Sequence, residues 1–180
     1  MFGVAFQDAF LFNSTILDNL RYARPTATTA DIITACKLTG AHTVIERLPD
    51  GYDTRIGSHG VELSHGQKQR INLARALVRK PQTLIIDEIT ASIEASAAIQ
   101  IIKEVLDHMS GRTVIIVTHD PSILQLVHRV VTLDHKTITS NQLTDDYTMK
   151  HPSIKSTHLG SLILAMTMLI GVAGCSTTTT

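Results

Sequence analysis

The sequence has no tryptophan, few aromatic residues and only two cysteines among its 180 residues, and the shortage of cysteine excludes a class of protein. Two cysteines, Cys36 and Cys175, cannot build a disulfide framework, so a small disulfide-stapled secreted domain is excluded. Basic and acidic residues both number 16, so the chain lacks the basic footprint of a nucleic-acid binder. A hydrophobic share of 43% excludes a disordered chain, and the length suits about one domain.

The charged residues are spread unevenly along the chain. All acidic residues lie in residues 1–148, whereas residues 149–180 carry only Lys150 and Lys155 as formal charges. An uncharged apolar stretch follows from Leu159 to Gly174, and the chain ends in a run of threonines. We therefore expect a body over residues 1–148 and a hydrophobic tail over residues 149–180.

The hydrophobic pattern of the body alternates between strand and helix. Short apolar runs at Leu84–Ile86, Thr113–Val117 and Val130–Leu133 are typical of buried strands. Helical patterns precede and separate these runs at residues 15–22, 30–39 behind a cap at Thr29, 64–78, 96–109 and 121–127. Strands that alternate with helices predict βαβ units and an α/β fold, with a parallel sheet that is covered on both faces.

Three ionisable residues stand close behind predicted strands. Asp87 and Glu88 follow the first strand, and His119 follows the second. Ligands of open parallel sheets bind at the carboxyl ends of strands, so this grouping favours a phosphate–metal site. One carboxylate could hold Mg²⁺, and the other could act as a general base on water. Each residue taken alone favours the simpler interpretation of a solvated strand end.

The helix predicted at residues 64–78 begins with a polar segment. Ser64 and Gln67 have the spacing of a capping box, which predicts a well-formed helix start. A helix N-terminus also presents free N–H groups and the positive end of a dipole, and Gly66 would let a phosphate approach the backbone. The residues alone leave a helix cap and an anion site equally open.

Taken together, these segments are more specific than any one of them. They occur in the order Phe6-Gln7-Asp8, Leu63-Ser64-His65-Gly66-Gln67-Lys68-Gln69-Arg70, Leu84-Ile85-Ile86-Asp87-Glu88 and Val117-Thr118-His119-Asp120. This set resembles the nucleotide-binding domain of ATP-binding cassette (ABC) transporters over about residues 1–140. The stretch from Phe10 through Leu20 is similar to the exporter branch of that family, in which a transmembrane part is often fused ahead of the ATPase.

The resemblance implies ATP and Mg²⁺ as cofactors, with in-line attack of water on the γ-phosphorus as the reaction. Asp87 would be the Mg²⁺-associated aspartate, Glu88 the general base and His119 the switch histidine at the γ-phosphate. Gln7 would approach Mg²⁺ and the attacking water, and would couple the site to the membrane domain. The implied fold is a P-loop NTPase-like parallel sheet with an α-helical signature subdomain.

The same resemblance assigns roles to the start of the 64–78 helix. Ser64, Gly66 and Gln67 would close on the γ-phosphate and ribose of an ATP held by the opposite subunit. His65 stands where the family usually has glycine, and its side chain would crowd the closed interface. Glu94 stands where the family favours aspartate in the loop after the base, and its additional methylene alters the contact between subunits.

One family motif is absent from these 180 residues. The phosphate-cradling loop has the form G-x-x-x-x-G-K-[ST], and none of the 10 glycines begins it. The family places that loop and several strands before the Gln7 segment. We therefore expect missing N-terminal strands, an isolated chain that hydrolyses no ATP, and sheet strands that are short of neighbours. Export driven by ATP then competes with an inactive remnant that can only complete the ATP site of an intact partner subunit.

The resemblance also predicts domains, partners and location. The helical subdomain would span about residues 9–80, and the Walker B to switch-histidine portion about residues 81–140. The partners would be a second nucleotide-binding domain and the transmembrane domains of an exporter, at the cytoplasmic face of the bacterial inner membrane. DNA-repair and chromosome ATPases share the signature but separate it from the Gln segment by a long coiled coil, whereas here the 56 positions from Gln7 to Leu63 contain no heptads.

The tail has a pattern of its own. Its basic start, apolar middle and Val172-Ala173-Gly174-Cys175 end resemble a bacterial lipoprotein signal peptide. Such signals act at the N-terminus, so this position is wrong for secretion and indicates two joined coding segments. The apolar stretch is shorter than the roughly 20 residues of a spanning helix, so we expect membrane association through the partner or through a hydrophobic tail helix.

Overall fold

The computed structural model of this chain describes residues 1–88, 93–134, 137–143 and 162–168. Several features of the sequence lie outside these residues: the boundary expected near residue 148, residues 89–92, Lys150 and Lys155, and the Val172-Ala173-Gly174-Cys175 end of the tail with the threonines behind it. The α/β class is confirmed, because helices and strands alternate around a sheet that contains three adjacent parallel strands.

Six strands of the described residues form one mixed sheet, in the order β1-β2-β3-β6-β4-β5. Strands β1, β2 and β3 are parallel, β6 runs antiparallel to both β3 and β4, and β5 is antiparallel to β4. Their bounds are Phe2–Ala5 (β1), Thr83–Asp87 (β2), Thr113–Thr118 (β3), Arg129–Asp134 (β4), Thr137–Leu143 (β5) and Leu162–Met168 (β6).

Four helices lie between β1 and β2, and two more follow. Their bounds are Ile16–Arg21 (α1), Thr29–Leu38 (α2), Ala41–Ile45 (α3), His65–Val78 (α4), Ala95–His108 (α5) and Pro121–Leu124 (α6), with a 3-10 turn at Gly51–Asp53. The helix start at residue 29 differs from the sequence prediction by one position. Thr28, not Thr29, is the cap, because its hydroxyl accepts the amide N–H of Asp31 while the Asp31 carboxylate accepts that of Thr28.

The core lies where α4 packs against β1 and against the other helices that lie between β1 and β2. Ile71, Leu73 and Leu77 of α4 are buried, together with Leu20 of α1 and Ile32 of α2. Gly3 makes the close approach of α4 to β1 possible. A β-carbon at this position would stand 2.9 Å from the carbonyl oxygen of Ala76.

The central strands alternate buried and partly exposed residues. Leu84 and Ile86 of β2 and Val114 and Ile116 of β3 are almost completely buried. Contrary to the expectation that these strands lack neighbours, β2 has β1 and β3 beside it, and β3 has β2 and β6. The second neighbour of β3 comes from the tail, in which the sequence allowed a helix.

Within the part of the chain that the structure describes, no helix is both long enough and apolar enough to cross a membrane.

Candidate functional site

Three of the predicted site residues meet at the carboxyl ends of β1, β2 and β3. The side-chain amide Nε2 of Gln7 donates to Glu88 Oε2 at 3.0 Å. The Nδ1 of His119 lies 3.2 Å from Glu88 Oε1, so each carboxylate oxygen has its own partner. We call this trio the Gln7–Glu88–His119 cluster. It assembles because each residue follows a strand of the same parallel set.

The local backbone aims the Glu88 side chain. Its φ is +45°, a left-handed conformation that side-chain-bearing residues rarely adopt and that costs of order 1–3 kcal/mol. A hydrogen bond of 3.0 Å from the Glu88 amide to the carbonyl of Val117 holds this turn against the end of β3. The Glu88 side chain is 22% exposed and that of His119 is 68% exposed, so water and an anionic ligand can reach both.

Asp87 is the last residue of β2, opposite Val117 in the register, and its side chain is partly exposed. In the described residues, no group of three or more His, Cys, Asp or Glu side chains could hold a metal ion. The donors at this edge fit Mg²⁺ in kind, because Mg²⁺ is usually held by one or two carboxylates and completes its shell with water and phosphate. Asp87 supplies a carboxylate. The nitrogen of the Gln7 side-chain amide donates to Glu88, and its oxygen is available to bind Mg²⁺.

Ser64 and Gln67 form the capping box that the sequence predicts. The Ser64 amide donates to Gln67 Oε1 at 2.9 Å, and the Gln67 amide donates to Ser64 Oγ at 3.3 Å. The box does not use the amide N–H groups of His65 and Gly66, which stand in the first turn of a 14-residue helix. Cap and anion site are therefore compatible, since the cap leaves these donors and the helix dipole available.

A polar side chain connects this helix start with the Gln7 segment. Gln69 is fully buried, and its Nε2 lies 3.1 Å from His65 Nε2 and donates to the Gln7 carbonyl at 3.5 Å. The Gln69 side-chain oxygen is buried without a hydrogen-bond partner among the described residues. His65, which would crowd a closed interface, is thus turned along its own helix toward Gln69.

Two further residues of α4 hold the same segment. Asn72 is buried and donates to the Phe6 carbonyl at 3.2 Å, and Arg75 donates to the Phe10 carbonyl at 2.8 Å and to the Asn72 side-chain oxygen at 2.9 Å. Partial burial lowers the pKa of the Arg75 guanidinium, which nevertheless remains charged at neutral pH. We call Gln69, Asn72 and Arg75 the α4 ladder, because they recur every three residues along one helix face.

The α4 ladder is not predicted by the sequence. Its only signal was a polar residue at every third position of an otherwise apolar helix face, which also occurs on ordinary solvated helices. The partners of the ladder are main-chain carbonyls more than 60 residues away, and no side-chain motif announces such acceptors.

The structure does not join Glu94 to the cluster. Glu94 precedes α5, and its carboxylate accepts a hydrogen bond of 2.6 Å from the Ser96 hydroxyl. This bond joins Glu94 to its own helix start and not to the cluster. The assignment of Glu94 to the nucleotide site therefore stays a prediction.

Exposed aromatic side chains lie beside the Gln7 segment. Phe10 and Phe12 pack edge to face with ring centroids 5.2 Å apart, and Phe12 lies 4.7 Å from Tyr22. Phe10 and Tyr22 are 67% and 69% exposed, and Phe6 is also exposed. We call Phe6, Phe10, Phe12 and Tyr22 the aromatic patch. Apolar surface of this kind is typical of a contact with another protein segment.

Comparisons with known proteins agree with this geometry. A family model described as ABC transporter matches residues 1–91. The chain is 42% identical over 132 residues to a cyclolysin secretion/processing ATP-binding protein of Bordetella pertussis, covering 73% of this chain and 18% of that protein. It is also 42% identical over 129 residues to an ATP-dependent lipid A-core flippase of Legionella pneumophila, covering 72% of this chain and 22% of that protein.

A solved structure is similar as well. A bacterial Atm1-family ABC exporter with ATP bound superposes with a TM-score of 0.76 at 34% identity, covering 83% of this chain and 26% of that one. The chain thus spans about a fifth of the length of the curated relatives named above. The matched family model, covering more than half of the chain, and the cluster at the sheet edge lead to one conclusion: the chain belongs to the ABC transporter family.

Proposed function

We propose that this chain serves in ATP binding and hydrolysis coupled to transmembrane export, as part of the ATPase of an ABC exporter. The observation that carries the proposal is the Gln7–Glu88–His119 cluster. In it, the Gln7 amide and the His119 ring each contact one oxygen of the Glu88 carboxylate. The exporter relatives support the same conclusion.

Glu88 is the general base in this proposal. A water that donates a hydrogen bond to its carboxylate would lose a proton to it. Gln7 and His119 would fix the orientation of the carboxylate toward that water. In its protonated form, His119, which is largely exposed, can donate from Nδ1 to Glu88 and from Nε2 to a phosphate oxygen. When bound, MgATP supplies the phosphoryl group and the charge neutralisation, while these side chains contribute position and electrostatics.

The nucleotide contacts are divided between chains in this proposal. Asp87 and the Gln7 amide oxygen would hold Mg²⁺, and Ser64, Gly66 and Gln67 would bind the phosphate and ribose of ATP on an opposing subunit, with His65 and Glu94 at the same interface. A second nucleotide-binding domain is therefore a required partner. The free first-turn amides of α4 are the donors that suit this contact.

The aromatic patch supports the second partner, the transmembrane domains of an exporter. Three of its four rings, those of Phe6, Phe10 and Phe12, lie on the segment that carries Gln7. A membrane domain that contacts the patch would therefore also touch the chain segment that reaches Glu88. This arrangement would put the body, residues 1–148, at the cytoplasmic face of the bacterial inner membrane. Residues 149–180 would follow the body as a tail that contributes β6 to its sheet.

The test is a chimera, in which residues 1–134 of this chain replace the matching segment of an intact exporter such as the Legionella lipid A-core flippase. We expect the chimera to hydrolyse ATP and Glu88→Gln to lower its kcat by about 100-fold or more, because general-base catalysis contributes at least that much. Glu104→Gln, on the surface of α5, is the matched control and should leave turnover unchanged. Equal turnover in the Glu88 and Glu104 variants would remove Glu88 from the role of base.

We also propose a second candidate for these 180 residues taken alone, which contain no G-x-x-x-x-G-K-[ST] pattern: a remnant that only completes the ATP site of an intact subunit. To examine it, the chain is mixed with an intact nucleotide-binding domain whose own signature serine is mutated. ATPase activity that rises on mixing, and fails to rise with Ser64→Arg, would support this role. The isolated chain should hydrolyse no ATP in either case, and turnover that Glu88→Gln abolishes in a pure preparation would contradict that expectation.

A further inference from the structure

The tail strand β6 occupies an unusual place in the sheet. It lies between β3 and β4, two strands that run in the same direction, and it runs opposite to both. The chain passes from β3 through the short helix α6 to β4, so β3 and β4 follow each other along the chain. They are not neighbours in the sheet, because β6 lies between them. We call this position between β3 and β4 the strand slot.

Filling the slot satisfies the backbone of both neighbours. Residues 113–118 of β3 pair with residues 163–168, and residues 129–133 of β4 pair with residues 162–166. With the slot empty, each neighbour would expose a row of N–H and C=O groups in the middle of the molecule, beside buried side chains such as Ile116 and Val130. A strand in the slot is therefore required for a continuous sheet.

The segment that fills the slot suits this position better than it suits water. Leu162–Met168 has no charged residue and no proline, so nothing in it prevents pairing on both sides. A free apolar segment of this composition is an aggregation hazard, whereas a strand that is paired on both edges is protected.

We propose that the tail acts as an internal strand donor, with residues 162–168 of the same chain as the occupant of the strand slot. The part of the sequence that resembles a lipoprotein signal peptide then has a structural role in this chain, because it joins β4 and β5 to the parallel strands that carry Glu88 and His119. The mode is β-strand addition, in which main-chain hydrogen bonds supply the affinity and apolar side chains supply the fit.

Cysteine cross-linking of the full chain tests both the pairing and its direction. In a Cys175→Ser background, Val114→Cys with Thr167→Cys places the thiols on directly opposed residues. The mismatched control, Val114→Cys with Ile163→Cys, keeps the same face but separates the residues by about 13 Å along the strand, too far for a disulfide. We expect mild oxidation to cross-link the first pair within one molecule and to leave the second pair reduced.

Two kinds of cross-linking result would contradict the proposal, each in a different way. Equal cross-linking in both pairs, or none in either, would overturn the proposal, because the tail then does not pair antiparallel with β3. Cross-linked dimers instead of monomers would overturn the intramolecular assignment and identify a second copy as the donor.

Hydrogen exchange gives a second measurement on the full chain. Ala165→Pro removes one backbone donor from the centre of β6 and should raise the amide exchange of residues 114–118 and 130–133 at least tenfold, while Ala165→Val should leave it unchanged. Exchange that is the same in both variants would show that these strands do not depend on the tail.

Discussion

At the scale of single residues, Asp31 shows how one carboxylate joins three parts of the chain. It accepts from Lys80 at 2.9 Å, from Arg24 and from the amide of Thr28, at the start of α2. The Lys80 ammonium is the main cause that holds the pKa of Asp31 well below its usual 3.8. Lys80 itself has a positive φ of 51°, so the junction between α4 and β2 is strained where this ion pair holds it.

The pH dependence of stability follows from that lowered pKa. A carboxyl group whose pKa is lowered by folding stabilises the native state above its unfolded pKa, and loses this effect as pH falls toward the folded value. We expect Asp31→Asn to lower the Tm at pH 7, and the difference from wild type to shrink below about pH 3.8. Asp107→Asn, on the exposed surface of α5, is the control and should leave the Tm unchanged. A Tm gap at pH 2 as large as the gap at pH 7 would contradict the assignment.

The Gln7–Glu88–His119 cluster is likewise a matter of single residues. Glu88 and His119 could be identified from the sequence, because each follows a strongly apolar run. The hydrogen bond between Gln7 and Glu88 could not, since it joins residues 81 positions apart and depends on β1, which the sequence analysis did not predict. The four-residue strand was too short to give a periodic pattern.

At the scale of elements, α4 links the signature segment with the Gln7 segment. Its N-terminus carries the capping box, its apolar face packs in the core, and its ladder holds the carbonyls of residues 6, 7 and 10. A helix that begins with one of these segments and is hydrogen-bonded to the other fixes their relative positions. The ladder therefore acts by positioning, through main-chain atoms of the Gln7 segment.

The ladder can be tested by its effect on stability and exchange. Asn72→Ala leaves the Phe6 carbonyl and the Arg75 guanidinium short of a partner, which costs about 1–3 kcal/mol of unfolding free energy. Urea denaturation measures that loss, and amide exchange should rise in residues 6–12 more than in α5. Gln100→Ala removes an exposed amide from α5 and is the matched control, with an expected change within about 0.5 kcal/mol.

An Asn72 variant with unchanged stability would show that the bond to Phe6 carries little free energy. A uniform rise in exchange over the whole chain, without any excess at residues 6–12, would assign Asn72 to general packing and not to positioning of the Gln7 segment.

At the scale of the whole molecule, the balance of charge has a consequence for solubility. The formal net charge is zero and the isoelectric point is about 7.1, so like-charge repulsion between molecules is weakest near neutral pH, where the aromatic patch also stays exposed. We expect a solubility minimum close to pH 7. Lys37→Glu on the exposed side of α2 lowers the net charge by two and should move the minimum to lower pH. Solubility that is flat between pH 6 and 9 would refute this.

The elements also differ in how well the sequence predicted them. Helices α1, α2, α4 and α5 and strands β2, β3 and β4 follow from apolar periodicity and capping residues, with shifts of at most one position at their ends. The helix predicted over residues 121–127 is shorter, ending at Leu124. The five residues of α3 gave no periodic signal, and the start of β6 inside an apolar run could not be distinguished from a helix.

The sequence by itself determined the local features of this protein: the Ser64 capping box, the strands that end in Asp87 and Thr118, and the ordered motifs of the ABC transporter family. These depend on residues a few positions apart, whose hydrogen bonds and periodicity are written into the chain. Only the tertiary structure decided that Gln7 bonds to Glu88, that the α4 ladder holds the Gln7 segment, and that β6 fills the strand slot. The ladder and β6 contacts rest on main-chain groups, which are the same in every residue, and the Gln7–Glu88 bond joins side chains 81 positions apart. All of these contacts form only when the whole sheet assembles.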